Sequence, residues 1–345
     1  MIGKSLALAV VATVAMTGPS LARDQIRIVG SSTVYPFTTR VAEEFGRTTS
    51  FKTPVIESTG TGGGFKLFCE GVGVNTPDIS NASRAIKKSE IESCAKAGVT
   101  EITEVKIGFD GIVVANSKAS PRMSITLEQL YMALAKDLPD GKGGFQPNPH
   151  KKWSEIDPSL PNIAIEVLGP PPTSGTRDAF NELAMEGGCA KIPAIAELKK
   201  TDEAKHKAVC QGIREDGAFV EAGENDVLIV RKLEANKNAF GVFGYSFLEQ
   251  NQDKIQGSLI NGVEDDYDNI SSGKYPISRS LFIYVKKAHV GVIPGIQEFL
   301  VEFSSDKAWG PEGYLADKGL IAMPDAERAQ WRAAAVDLPS NVGGK

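Results

Sequence analysis

Ser58-Thr59-Gly60-Thr61-Gly62-Gly63-Gly64 follows the strand-like run Pro54-Val55-Ile56-Glu57 and precedes Phe65-Lys66-Leu67-Phe68-Cys69, where apolar residues return at helical spacing. Four glycines and three hydroxyls thus stand at a strand-to-helix turn. Glycine permits unusual dihedrals and close backbone approach. The helix behind it begins with unpaired N–H groups and a partial positive charge, which suits an anion. A plain flexible turn fits the same residues. The loop is not a Walker A, because Leu67 rather than Ser or Thr follows Lys66. It also misses the dinucleotide fingerprint, since Phe65 stands where the last glycine belongs.

The same arrangement recurs twice. Gln25–Val29 reads as a strand ending at Gly30, and Ser31-Ser32-Thr33 then caps a helix with Val34, Phe37, Val41 and Phe45 on one face. In the second half, Ile163–Leu168 reads as a strand. Gly169 and Pro170–Pro172 force an extended entry into Thr173-Ser174-Gly175-Thr176-Arg177. A helix is expected over Asp178–Met185, with Phe180, Leu183 and Ala184 facing inward. Three hydroxyl turns, each between a strand and a helix, point to an α/β protein whose ligand lies at strand C-terminal ends.

Between these units, Asp78–Arg84 reads as a strand end, with Arg84 either a surface charge or an inward anion clamp. Glu104–Ala115 has the length and late apolar run of a central strand crossing between lobes. Within it, Gly111 marks a bend or a ligand's close approach, and Asp110 must be solvated, paired or functional. Leu281–Val285 is the expected return crossing. Val227–Val230 reads as a buried strand. Asp265–Asp268 reads as an acidic surface loop, because it lacks the glycine and terminal glutamate of an EF-hand. Helices are expected over Ile293–Phe303 and, interrupted at Pro311 and Gly313, over Asp306–Leu320.

The chain has 345 residues, enough for two ordinary domains, with 41% hydrophobic and 23% charged residues. A net charge of -5 argues against a general nucleic-acid binder but not against a buried anion site. Lys4, the apolar run Ser5–Met16 and Ser20-Leu21-Ala22 form an export signal, with the mature chain expected from Arg23. The apolar run is too short for a membrane anchor. Four cysteines suit an exported protein. Three connectivities are formally possible, and local pairing predicts Cys69–Cys94 and Cys189–Cys210. A zinc site is not expected, because no CxxC occurs and His150, His206 and His289 are far apart in sequence.

Taken in order, the motifs carry a family likeness. They are Gly30-Ser-Ser-Thr33, Ser58–Lys66, Asn81-Ala-Ser-Arg84, Asp110-Gly-Ile-Val-Val114, Trp153 with Pro158–Pro161, Thr173–Arg177, Phe243–Tyr245, Tyr275-Pro-Ile-Ser-Arg279 and Gly313-Tyr-Leu315. The set resembles the periplasmic phosphate-binding protein of the bacterial high-affinity phosphate ABC importer, across essentially the whole mature chain. The resemblance implies a two-lobed, type II-like periplasmic binding protein, closing by hinge motion over a ligand in the interlobe cleft. The expected division is a leader over 1–22, one lobe from 23–113 and 280–345, and another from 114–279. It further implies a monomer that delivers phosphate to membrane permease subunits, with no cofactor and no metal.

Carried over by position, Ser32, Thr33, Thr61, Ser174, Gly175 and Thr176 stand where relatives contact phosphate, and Gly62 offers a backbone donor. The chain departs from the pattern twice. Arg84 replaces an aspartate that accepts the ligand's proton in many relatives, and Pro170 replaces an arginine. The basic clamp then falls to Arg84 and Arg177, and the proton acceptor to Asp110, with Glu57 and Asp178 next. A different oxyanion is the alternative ligand. An exported phosphomonoesterase is the alternative class, disfavoured because no histidine or carboxylate cluster suits two metals.

Overall fold

The computed structural model describes residues 23–172, 174–223 and 226–342; the leader and Thr173 lie outside them. The core is a nine-stranded sheet. Its strands in chain order are β1 (Arg27–Gly30), β2 (Val55–Ser58), β3 (Ile79–Ala82), β4 (Ile102–Ser117), β5 (Val167–Gly169), β6 (Phe219–Glu221), β7 (Phe240–Gly244), β8 (Ile255–Gly257) and β9 (Ser278–Lys286). They lie in the order β2-β1-β3-β9-β4-β7-β5-β6, with β8 also on β4.

The two long strands organise this order. In β4, Ile102–Gly111 pairs antiparallel with β9, and Ile112–Asn116 pairs with β7. One strand thereby belongs to both halves of the sheet. Its near-complete burial explains why it reads as an apolar run rather than an alternating one. The ladder slips between Leu281 and Phe282, opposite Gly108. Gly108 has φ 153, and a Cβ there would lie 2.8 Å from the Ile321 carbonyl. That carbonyl accepts from Phe109 N at 2.8 Å. The irregularity therefore sits two residues before Asp110 and helps aim it. Gly111, by contrast, packs on Ile270, whose side chain a Cβ would meet at 2.8 Å. Its small size serves the core rather than a ligand.

Three helices open at strand ends: α1 (Tyr35–Thr48) after β1, α2 (Thr61–Phe68) after β2 and α3 (Gly175–Phe180) after β5. The run begun by α3 continues as a π-helical turn over Asn181–Met185 and an α-turn over Glu186–Cys189, so it starts earlier than expected and changes pitch within. Phe180 and Ala184 are buried as anticipated. Both expected disulfides form, Cys69–Cys94 and Cys189–Cys210. His206 lies beside the second, its Nε2 3.4 Å from Cys210 Sγ. The ligand atoms of Cys189, His206 and Cys210 fall within 4.8 Å of one another, a cluster that sequence spacing missed. With the two sulfurs bonded to each other, neither is a thiolate ligand.

Several expectations are corrected. Val227–Val230 is not a strand but the first turn of α4 (Asp226–Ala235). Val227 and Leu228 are exposed while Ile229, Val230 and Leu233 are buried, a helical spacing that a four-residue apolar run cannot reveal. The strand expected over Ile163–Leu168 is ordered as a strand only over Val167–Gly169. The hydroxyls before α1 do not cap it: the N-cap is Val34, with no side-chain cap. Asp265 is not a surface residue but is 6% exposed and bonded to Arg122 at 3.1 Å. Burial pushes its carboxyl up to about 6. Among the described residues, no helix is long and apolar enough to cross a membrane.

Candidate binding site

The first two turns share one platform. Gly30 is paired with Ser58 on one side and Asn81 on the other, so β1, β2 and β3 end side by side. A Cβ on Gly30 would fall 2.2 Å from the Asn81 carbonyl, and one on Gly64 would fall 2.4 Å from Gly30 Cα. Both glycines are thus dictated by backbone packing, which sets α2 directly over the end of β1. Gly64 N donates to Gly60 O at 2.8 Å, so it is not a free ligand donor. Thr61, Gly62 and Gly63 form the first turn of α2, where N–H groups have no helical partner. Thr61 Oγ1 lies 3.0 Å from Ser83 Oγ and accepts from Ser83 N at 3.1 Å.

Arg84 reaches the same turn: a Cβ on Gly62 would be 3.9 Å from its Nη2. Its guanidinium is held by Glu90 through two bonds of 2.9 and 2.8 Å. These bonds are the main reason its proton is bound more tightly than usual. Thr61, Gly62, Ser83 and Arg84 line a cavity of about 800 Å³ with Arg279 on its wall.

Ser32, Thr33, Asp110, Ser174, Gly175 and Thr176 line a second cavity of about 530 Å³. Between the two lies a seam where the halves of the molecule touch. A Cβ on Gly175 would come within 2.8 Å of the Ser32 carbonyl. Ser32 Oγ donates to Asp178, and Thr33 Oγ1 donates to the Gly175 carbonyl at 3.3 Å. Ser174 caps α3, its Oγ accepting from Thr176 N at 3.2 Å. The three turns therefore do not open onto a single cavity. The first and third meet, and the second faces its own space.

Arg279 joins the two. It sits on β9 directly opposite Asp110 on β4, and its side chain is 8% exposed. Its Nε donates to Asp110 at 3.4 Å, Nη2 to Thr33 Oγ1 at 2.6 Å and Nη1 to Glu182. Burial pushes the Asp110 carboxyl up, while Arg279 pulls the other way. Arg279 was present in the Tyr-Pro-Ile-Ser-Arg motif, but nothing local marked it as a site residue. Arg177 lines neither cavity. It donates to the Pro170 carbonyl at 3.0 Å and lies 4.4 Å over the Phe219 ring. Glu57 is exposed and bonded to Arg27 at 3.3 Å, away from both cavities.

The arrangement concentrates hydroxyls, helix-start N–H groups and two arginines at strand ends, with one buried carboxylate. That donor set fits a small multiply charged oxyanion. Residues 15–307 match the family described as the PBP superfamily domain. Protein SphX of Synechococcus elongatus is 34% identical over 275 residues, covering 76% of this chain and 69% of that protein. The phosphate-binding protein PstS of Staphylococcus saprophyticus is 28% identical over 315 residues, covering 90% and 83% respectively. Among solved structures, a possible phosphate binding protein from Planctomyces limnophilus superposes with a TM-score of 0.71 at 27% identity, over 91% of this chain and 98% of that one. An ABC-type phosphate transport receptor from Vibrio cholerae shares the fold, with a TM-score of 0.57 at 19% identity.

Proposed function

The chain belongs to the PBP superfamily, and on that premise we propose that it captures inorganic phosphate after export and delivers it to the permease of an ABC importer, without catalysing a reaction. The observation that carries this reading is the Arg279–Asp110–Thr33 cluster, in which Asp110 in mid-β4 and Arg279 at the start of β9 meet the hydroxyl turn that follows β1. A guanidinium and hydroxyls supply donors to the oxyanion. A buried carboxylate accepts from a ligand that has a proton to give.

In this reading the seam between the two cavities parts around the ligand, so that Ser32, Thr33, Ser174, Gly175 and Thr176 from one cavity and Thr61, Gly62 and Arg84 from the other, with Arg279 between them, surround it. Asp110 accepts the proton of hydrogen phosphate. Sulfate carries no proton at neutral pH, so it leaves that buried carboxylate facing a like charge. Unpaired groups of this kind produce large discrimination. Arg177 drops out of the clamp, because its guanidinium is engaged with Pro170 and Phe219, and Arg279 takes its place. The lobes are 23–113 with 280–345, and 114–279, hinged where β4 and β9 cross. The leader is removed near Ala22, and the working form is a monomer.

Titration calorimetry with phosphate, sulfate, arsenate and molybdate tests the ligand. Heat with phosphate and arsenate but not with sulfate or molybdate is expected. Silence with phosphate together with clear heat from another oxyanion overturns the assignment.

A further inference from the structure

The donors assigned to the oxyanion are already bonded to carboxylates of the protein. Ser32 donates to Asp178, and Arg279 donates to Glu182 as well as to Asp110. Asp178 and Glu182 stand four residues apart on the continuous run formed by α3 and the π-helical turn. That spacing puts both on one face of the run; Asp178 reaches over to Ser32 on the half that carries β1, and Glu182 reaches Arg279 at the hinge, where the 114–279 lobe ends. The π-helical turn, which contains Glu182, sets the reach of the second carboxylate. Three carboxylates thus surround Ser32 and the Arg279 guanidinium. The next cation, Arg84, is held by its own partner Glu90.

We propose that Asp178 and Glu182 are an internal anion pair that competes with the oxyanion for Ser32 and Arg279, and so sets the affinity of the site. The proposal rests on the phosphate reading. With Asp178 and Glu182 engaged, the two halves of the molecule are latched together by groups that stand in for ligand oxygens. An incoming phosphate must displace both carboxylates. The latched arrangement and the liganded one are therefore alternatives, and the apparent dissociation constant is the intrinsic one divided by the fraction of molecules that are not latched.

The amide variants Asp178→Asn and Glu182→Gln test this singly and together. Both keep shape, and Glu182 is half-exposed at 50% of its side chain, so an amide is accommodated. Small-angle scattering without added phosphate is expected to show a larger radius of gyration for the double variant than for the parent. Calorimetry is expected to show phosphate binding strengthened roughly tenfold, a typical coupling between alternative states. Unchanged scattering, or weaker phosphate binding in both single variants, overturns the proposal. If phosphate gives no heat with parent or variant, the phosphate reading fails instead. The scattering comparison then decides the latch alone: an expanded double variant supports it, and an unchanged one overturns it.

Discussion

The glycine-rich turn at Ser58–Gly64 and the junction of Ser31–Thr33 with Ser174–Asp178 are built to one local plan, yet they serve different ends. In the first, Thr61 Oγ1 is bonded to Ser83 beside it on the same platform, and the helix start faces a cavity of about 800 Å³. In the second, hydroxyls and backbone of one half of the molecule meet the other half directly. A strand, a hydroxyl turn and a helix start supply donors wherever they occur. What those donors do is decided by what the chain brings opposite them. A carboxylate opposite makes a latch, and open space makes a cradle.

The glycines of the first turn differ most among themselves in what surrounds them. Gly64→Ala would drive a Cβ to 2.4 Å from Gly30 Cα, a backbone atom that cannot rotate away. The platform shared by β1, β2 and β3 must then shift, and a loss of roughly 3 kcal/mol is expected in urea unfolding. Gly62→Ala meets nothing nearer than the Arg84 guanidinium at 3.9 Å. It sits in a helical turn where alanine is favoured by up to about 1 kcal/mol, so unchanged or slightly raised stability is expected. Equal losses in the two variants would mean that the turn acts as a whole and that Gly64 has no special packing role.

The two arginines of the second region, Arg279 and Arg177, are engaged in different ways. Arg279→Ala removes three donors and leaves Asp110 and Glu182 without their cation. Hydrogen bonds to charged groups contribute about 1.5–3 kcal/mol each, so phosphate affinity is expected to fall by roughly 100-fold. Arg177→Ala removes a cation stacked on Phe219 and bonded to a carbonyl. It is expected to lower the melting temperature while leaving phosphate affinity within about threefold, as expected for a site it does not touch. The reverse pattern in calorimetry would return Arg177 to the clamp and remove Arg279.

This pair also shows what could be read from sequence. The strand–turn–helix units were legible because glycine, hydroxyl and helical periodicity are all local signals. The crossing strand β4 was legible from its uninterrupted apolar half. Arg177 misled because it directly follows Ser174–Thr176, which line a cavity. On α3, however, Asp178 reaches Ser32 while Arg177 turns toward Phe219. Arg279 was missed for the opposite reason. Its partner Asp110 lies 169 positions away, and only the antiparallel register of β9 on β4 places them together. Val227–Val230 failed as a strand because a short apolar run carries no period.

Asp110 is the buried carboxylate that lines the second cavity directly and meets the first through Arg279. Burial raises the Asp110 carboxyl above its unfolded value of 3.8, with Arg279 opposing. The sign follows from linkage. A group whose folded value is raised contributes stability below the unfolded value, and that contribution is lost as pH rises through the folded value. Asp110→Asn cannot ionise. Its melting temperature relative to the parent is therefore expected to climb as pH is taken from 4 toward 8. A variant that instead loses ground with rising pH would mean that the ionised Asp110–Arg279 pair outweighs desolvation. The same variant no longer presents a like charge to sulfate, and its amide can donate to it. Sulfate binding is expected to strengthen by roughly tenfold relative to phosphate, the equivalent of one hydrogen bond gained or relieved. Unchanged selectivity would move the proton acceptor from Asp110 to Asp178, the carboxylate that accepts from the Ser32 hydroxyl.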